Sequence, residues 1–168
     1  AGGTTVADNK DRPNHFVCLH ITSVAVKGVV EEIQTYICGH TPQLAEGCIP
    51  IDALHVTLCM LRLNSEQDRA TAQAVLSNSC AQFIHILPPC LQLTFRGVDN
   101  FRGRLVYVKV EPEPALERFV SYLLEQFQHA GLGTPGNHDQ FTPHMTILKL
   151  TRPMARKLHT HAISPASY

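Results

Sequence analysis

Two four-residue stretches carry the residues best suited to chemistry: His55-Val56-Thr57-Leu58 and His144-Met145-Thr146-Ile147. In each, a histidine and a threonine flank one apolar residue inside an apolar run that reads as a β-strand. Strand side chains alternate faces, so the histidine and threonine at i and i+2 project from the same face. Each stretch therefore offers one imidazole and one hydroxyl to the same space. Two such stretches facing each other make a site with two proton-transfer groups and two hydroxyl donors. An unperturbed imidazole titrates near ~6.5, so one ring can accept a proton while the other donates one. Hydroxyls can hydrogen-bond to oxygens on which charge builds up. That inventory suits a phosphodiester and asks for no metal or other cofactor. Zinc needs three or four ligands at tetrahedral distances, whereas His55 and Cys59, though on one strand face, stand over ~10 Å apart at ~3.3 Å per residue. The sequence holds no G-x-x-x-x-G-K phosphate loop and no G-x-S-x-G elbow.

The elements that must hold these residues follow from periodicity and punctuation. Residues 15–22 alternate as a strand, and 24–38 have apolar residues at helical spacing, with Gly39 as a stop. A loop over 41–51 leads into the first motif strand, 54–63. A helix over 65–83 starts at Ser65, with Asp68 placed to complete a weakened capping box. Pro88-Pro89 ends that region. A strand over 91–95, a turn at 97–100 and a strand over 104–110 come next. A helix over 115–130, a polar loop and the second motif strand, 141–150, follow. Residues 1–13 read as a disordered lead or linker, and the tail from 151 shows no clear period.

The order strand, helix, motif strand occurs twice at one offset. Moving 89 residues along, from His55 to His144, also carries the strand at 15 onto 104 and the helix near 26 onto 115. A repeat commonly shows as order and spacing before identity. It predicts two lobes, about 14–64 and 103–150. In each, an apolar strand face lies under the helices: Val17, Leu19 and Ile21, then Val106, Val108 and Val110. The opposite faces carry Phe16, Cys18 and His20, then Leu105, Tyr107 and Lys109. Phe16 and Tyr107 suit a stacked nucleobase, Lys109 suits a phosphate, and His20 lines the same space. One bulge would reverse these faces. His20-Ile21-Thr22 and His159-Thr160-His161 resemble the motif but fall outside the repeated position, so His20 is read as structural or lining and the second as surface.

Composition excludes several classes. The 168 residues are 44% hydrophobic and 17% charged, with 14 basic and 14 acidic side chains. A balanced charge disfavours holding long nucleic acid by bulk electrostatics and leaves room for a nucleotide or an RNA end. No apolar run reaches the ~18 residues of a membrane span, and no secretory signal is visible. The six cysteines form no C-x-x-C pair. They read as reduced, mostly buried thiols of an intracellular protein, in the cytoplasm or nucleus, with a disulfide framework as the alternative.

At these residues the chain resembles the two-histidine (2H) phosphoesterase superfamily, whose signature is two H-x-[ST]-apolar motifs, one per pseudo-symmetric lobe. Pro13-Asn14-His15-Phe16, the run 54–63, Leu93-Thr94-Phe95-Arg96-Gly97-Val98 and the run 141–150 extend the likeness to the 2′,5′ RNA ligase-like domains of the A-kinase anchoring protein 7 type. The resemblance implies an α+β, bilobal, pseudo-two-fold, LigT-like fold over 14–168, with two antiparallel sheets around a central cleft and helices outside. It implies His55 and His144 as catalytic residues and Thr57 and Thr146 as phosphate-binding residues, without metal. The implied partners are RNA ends with 2′,3′-cyclic phosphates, 2′,5′-linked oligoadenylate, or AMP and CMP as ligands, with no membrane. Such domains continue past the position of Tyr168 into a further helix and strand. The kinase-anchoring helix also lies beyond it, so no kinase anchoring is expected from this chain. A non-catalytic nucleotide-binding module, or an interaction domain with a vestigial cleft, remain the competing readings. Which histidine is acid and which is base is left open.

Overall fold

The computed structural model describes residues 12–84, 91–137 and 140–158. In chain order the elements are strand β1 (His15–His20), helix α1 (Val24–His40), two 3-10 segments (Pro42–Gly47 and Ile51–Ala53) and strand β2 (His55–Leu61). Then come helix α2 (Glu66–Phe83), strands β3 (Phe95–Phe101) and β4 (Leu105–Val110), helix α3 (Pro114–His129), strand β5 (His144–Lys149) and helix α4 (Arg152–Leu158). The class is α+β, as expected. Among the described residues the strands form one five-stranded sheet, β1-β2-β5-β4-β3, rather than two. The reason is that the two motif strands, β2 and β5, pair with each other antiparallel. Residues 1–11 of the expected lead, Pro88-Pro89 and His159-Thr160-His161 lie outside the described residues.

The chain divides into two compact units. One comprises the described residues of Leu19–Val56, Leu93–Glu111 and Pro143–Tyr168. Its core is the apolar face of the sheet under α1: Ile21, Val30, Leu54, Val56, Val108, Val110, Met145 and Ile147, joined by Leu19, Val26, Ile33 and Val106. These are the alternate strand positions and the i, i+4, i+7 helix positions that periodicity requires. Each fully buried side chain contributes on the order of 1.5–3 kcal/mol. A smaller cluster, Ile37, Leu44, Leu148, Leu150 and Ala155, joins the end of α1 to the end of β5 and to α4. Gln34 lies in the same helical stripe and ties three pieces together. Its Nε2 donates to the carbonyls of Ile49 and Ile147, both at 2.8 Å. Gly47 sits where a Cβ would come within 3.1 Å of the Lys149 carbonyl, so a side chain there would crowd the approach of the 3-10 segment to β5.

Several boundaries differ from the sequence reading; of the strand expected over 91–95, only Phe95 lies in one, β3. Gly39 does not stop α1, which runs to His40. His40 Nδ1 bonds to the Tyr36 carbonyl at 2.8 Å and supports that last turn. The tail forms α4, whose buried Ala155 and half-buried Met154 pack on the second cluster. Residues 97–100 are not a turn but the middle of β3. Gly97, at φ 80°, serves a β-bulge in the β3–β4 pairing between Phe95 and Val98. The turn comes later, at Arg102 (φ 52°) and Gly103 (φ 62°). It is closed by the Arg104 N–H donating to the Phe101 carbonyl at 3.1 Å. Three residues, Arg102 to Arg104, separate the paired Phe101 and Leu105, and the two consecutive positive φ values reverse the chain within them.

The other unit comprises the described residues of Ala1–Cys18, Thr57–Gln92 and Pro112–Thr142. Here α2 packs on α3, with Phe83 against Phe119 and Tyr122. Ser65 and Asp68 form a complete capping box: the Asp68 N–H donates to Ser65 Oγ at 3.0 Å and the Ser65 N–H to Asp68 Oδ2 at 3.2 Å. Side-chain amides take the place of strand partners in two places. Asn137 accepts from the Met60 N–H and donates to the Met60 carbonyl. Asn14 donates to the Leu63 carbonyl and accepts from the Leu63 N–H, both at 2.9 Å. Replacing Asn14 with alanine leaves both Leu63 groups without that amide. It is expected to cost about 1–3 kcal/mol of stability, read as a lower denaturation midpoint with unchanged slope.

Of the five described cysteines, all are free; Cys59 is buried, Cys38 and Cys48 are half-buried, and Cys18 and Cys80 are exposed. The expectation of mostly buried thiols therefore holds for Cys59, in part for Cys38 and Cys48, and fails for Cys18 and Cys80. Burial pushes the Cys59 thiol up to about 11.

Candidate active site

The site grows from one opposed pair, Val56 on β2 and Met145 on β5. These are the central residues of the two motifs, and both are wholly buried in the α1-facing core. Their neighbours must point the other way. Antiparallel pairing then sets His55 against Thr146. It places His144 diagonally from His55, roughly 7–8 Å away between Cα positions. Burial runs in the same order along both motifs: half-buried, buried, half-buried, buried, buried. On β5 the last two of these are consecutive because the β4–β5 register shifts between Val106 and Tyr107, which turns both Ile147 and Leu148 inward.

His55 is oriented by the backbone. Its Nδ1 lies 2.8 Å from the carbonyl of Ala53, the last residue of a 3-10 segment. A carbonyl only accepts, so Nδ1 carries the hydrogen. In the neutral ring the lone pair is then on Nε2. His144 is set by its neighbour on β4: the Tyr107 and His144 ring centroids are 5.1 Å apart in an edge-on contact.

Across β4 the register pairs Tyr107 with Thr146 and Lys109 with His144. Directly opposed residues share a face, so Tyr107 and Lys109 stand on the face of the two histidines, while Val106, Val108 and Val110 face the core. Lys109 does not present an unbalanced charge. Its Nζ lies 2.9 Å from Asp99 Oδ2 on β3, and Asp99 is itself opposite Tyr107. The hydrogen bond from Lys109, then the one from the Asn100 N–H, holds the Asp99 carboxyl below its usual range. The same pairing raises Lys109.

His20, exposed at the end of β1, follows Leu19 and precedes Ile21, both of which pack in the core. It therefore faces away from that core. Its charge adds a small part to the lowering of Asp52, which comes first from a hydrogen bond to Lys27. Two expected residues belong to the other unit: Phe16, on β1 and 51% exposed, and Thr57, half-buried on β2. So the described residues of one unit bring together His55, His144, Thr146, Tyr107 and Lys109.

The sequence reading missed Asp99 and Gln34. Asp99 was hidden by the turn assigned to Gly97–Asn100, where the strand in fact continues. The signal for Gln34 was present: an amide four residues after Val30 and three before Ile37, on an otherwise apolar stripe, must find polar partners.

A family model described as the AKAP7 2′,5′ RNA ligase-like domain matches residues 13–166. Among solved structures, the PDE domain of MHV ns2 is similar at TM-score 0.63 and 18% identity, covering 85% of this chain and 87% of that one. A phosphoesterase is similar at TM-score 0.59 and 22% identity, covering 82% and 74%. E. coli LigT in complex with 3′-AMP is similar at TM-score 0.58 and 22% identity, also covering 82% and 74%. The same LigT is similar in its complexes with phosphate, NADP+ and ATP. At these identities the structural likeness speaks for the fold.

Proposed function

Given that the chain belongs to the AKAP7 2′,5′ RNA ligase-like domain family, we propose that it is a metal-independent RNA phosphodiesterase, residues 14–168 acting as one domain. Its substrates are 2′,3′-cyclic phosphate ends or 2′,5′-linked oligonucleotides. The observation that carries this reading is the opposed Val56–Met145 pair, which turns both histidines and Thr146 onto one face. One histidine, neutral, takes the proton of the attacking water or ribose hydroxyl as its oxygen bonds to phosphorus. The other, protonated, delivers a proton to the departing ribose oxygen as that P–O bond breaks. Thr57 and Thr146 donate to the non-bridging oxygens as charge collects there. The crystallisation of LigT with 3′-AMP supports a nucleotide ligand.

The test is incubation, with EDTA present, of RNA ending in a 2′,3′-cyclic phosphate and, separately, of 2′,5′-linked oligoadenylate. The variant carrying both His55→Ala and His144→Ala is the control. Histidine-dependent cleavage is expected, and the preferred substrate names the class. Saturable AMP or CMP binding without cleavage would replace the enzyme by a binding module. Because one histidine must be neutral and the other protonated, rate against pH should be bell-shaped, its two limbs belonging to the pair. A single-limbed profile would mean that only one histidine titrates in the rate-limiting step.

A further inference from the structure

The face that carries the two histidines continues beyond them into a row the proposed reaction does not use. On β4, Leu105 lies two residues from Tyr107 and so on the same face. Leu105 is opposed by Phe101 on β3 and by Lys149 on β5. Directly opposed residues share a face, so Phe101, Leu105 and Lys149 form one row across three strands on the side of His144 and Thr146. Phe101 is 59% exposed, an unusual state for a phenylalanine on a sheet. The Arg102 guanidinium sits 5.1 Å from its ring centroid, and Lys149, in the same row, is also exposed. An aromatic ring backed by a guanidinium, with an ammonium in the same row, is the combination that stacks a nucleobase and tracks its phosphates.

We propose that Phe101 and Lys149 form a second nucleotide subsite, Phe101 stacking a base and Lys149 holding a phosphate of the same strand. This rests on the phosphodiesterase reading for the identity of the strand as single-stranded RNA. Two strand spacings and two residues separate Phe101 from Thr146, about 12 Å at ~4.8 Å per strand and ~3.3 Å per residue. That is too far for the base of the nucleotide whose phosphate reacts, and within reach of a neighbour along the chain. The substrate is then an oligonucleotide end rather than a free mononucleotide. The charge balance agrees: Lys109, on the face of the two histidines, is neutralised by Asp99, while Lys149 in the outer row is exposed.

The experiment is fluorescence anisotropy with a labelled single-stranded RNA octamer, beside calorimetric titration with AMP. It compares the wild type with Phe101→Ala, Phe101→Tyr and Lys149→Gln. Phe101→Ala should weaken octamer binding five- to a hundredfold, leave AMP affinity within twofold, and leave the salt dependence unchanged. Phe101→Tyr should restore binding. Lys149→Gln should reduce the slope of log affinity against log salt by about 0.7. Octamer binding that is unchanged by Phe101→Ala, or lost equally for AMP, would overturn the subsite. Self-association that weakens in Phe101→Ala with RNA binding intact would assign the ring to a protein contact, and likewise overturn it. Failure of the histidine-dependent cleavage assay, with the Phe101 effect present, would remove the phosphodiesterase reading and leave the subsite standing.

Discussion

Replacing His55 or His144 with alanine is expected to lower the turnover of the preferred RNA substrate by about 10²–10⁴-fold each, with the fold intact. Both histidines are the first, half-buried residues of their strands, and neither belongs to the core cluster that holds the sheet to α1. Losing His55 removes the hydrogen bond to the Ala53 carbonyl, whose half-exposed surroundings let water take its place. Losing His144 removes a ring contact with Tyr107. Both side chains are half-buried, so neither change should leave an enclosed cavity. A thermal melt should therefore stay close to wild type while turnover falls. The two losses should not add. Once one proton-transfer step is gone, the other histidine acts in a reaction already limited elsewhere, so the double variant should lie near the worse single one. Activity surviving either change at more than a tenth of wild type would remove the acid–base pair from the mechanism.

His55 also bears on what a conservative change would do. Its Nδ1–H is engaged by a carbonyl, so Nε2 is the atom that exchanges protons. Glutamine can mimic the hydrogen-bonding reach of a ring nitrogen but cannot accept and release a proton near neutrality. His55→Gln should thus keep nucleotide affinity within a few-fold and still lose turnover on the scale of the alanine variant. That split separates proton transfer from simple hydrogen bonding.

Much of this site was legible in the sequence because strand chemistry is periodic. Val56 and Met145 could be assigned to the buried face, and His55, Thr57, His144 and Thr146 to the other, from alternation alone. The same parity correctly separated Tyr107 and Lys109 from Val106 and Val108, since the bulge that shifts register in β4–β5 lies just before Tyr107 and leaves the pairs beyond it in step. What alternation could not show was which strands are neighbours. That β2 pairs with β5 is a long-range choice, and it merged two expected sheets into one. Local punctuation misled at Gly97. A glycine beside Asp99 and Asn100 has the composition of a turn, but the positive φ there serves a bulge, and the hairpin closes at Arg102-Gly103 instead. With the turn went Asp99, and with Asp99 the reason Lys109 is not an open phosphate ligand. Helix α4 was invisible for another cause: its inward residues, Met154 and Ala155, are too few to make a period.

Thr146→Val is the sharpest test of how the phosphate oxygens are held. Valine has nearly the same shape, keeps the β-branched preference for a strand, and removes only the hydroxyl. Thr146 is half-buried, opposite Tyr107 on β4 and flanked by the buried Met145 and Ile147. If the hydroxyl donates to an oxygen on which charge grows as the phosphodiester reacts, its loss should cost about 10²–10³ in kcat. KM should change little, because the ground-state phosphate can draw on water and the remaining donor. Thr146→Ser should recover most of the rate, since it restores the donor while giving up only the methyl. A rise in KM with kcat preserved would mean that Thr146 binds substrate and transition state equally. Thr57→Val should behave in the same way if the two motifs are functional equivalents. A much smaller effect at Thr57 than at Thr146 would show that the repeated sequence is not used symmetrically and that the developing charge is held chiefly from β5.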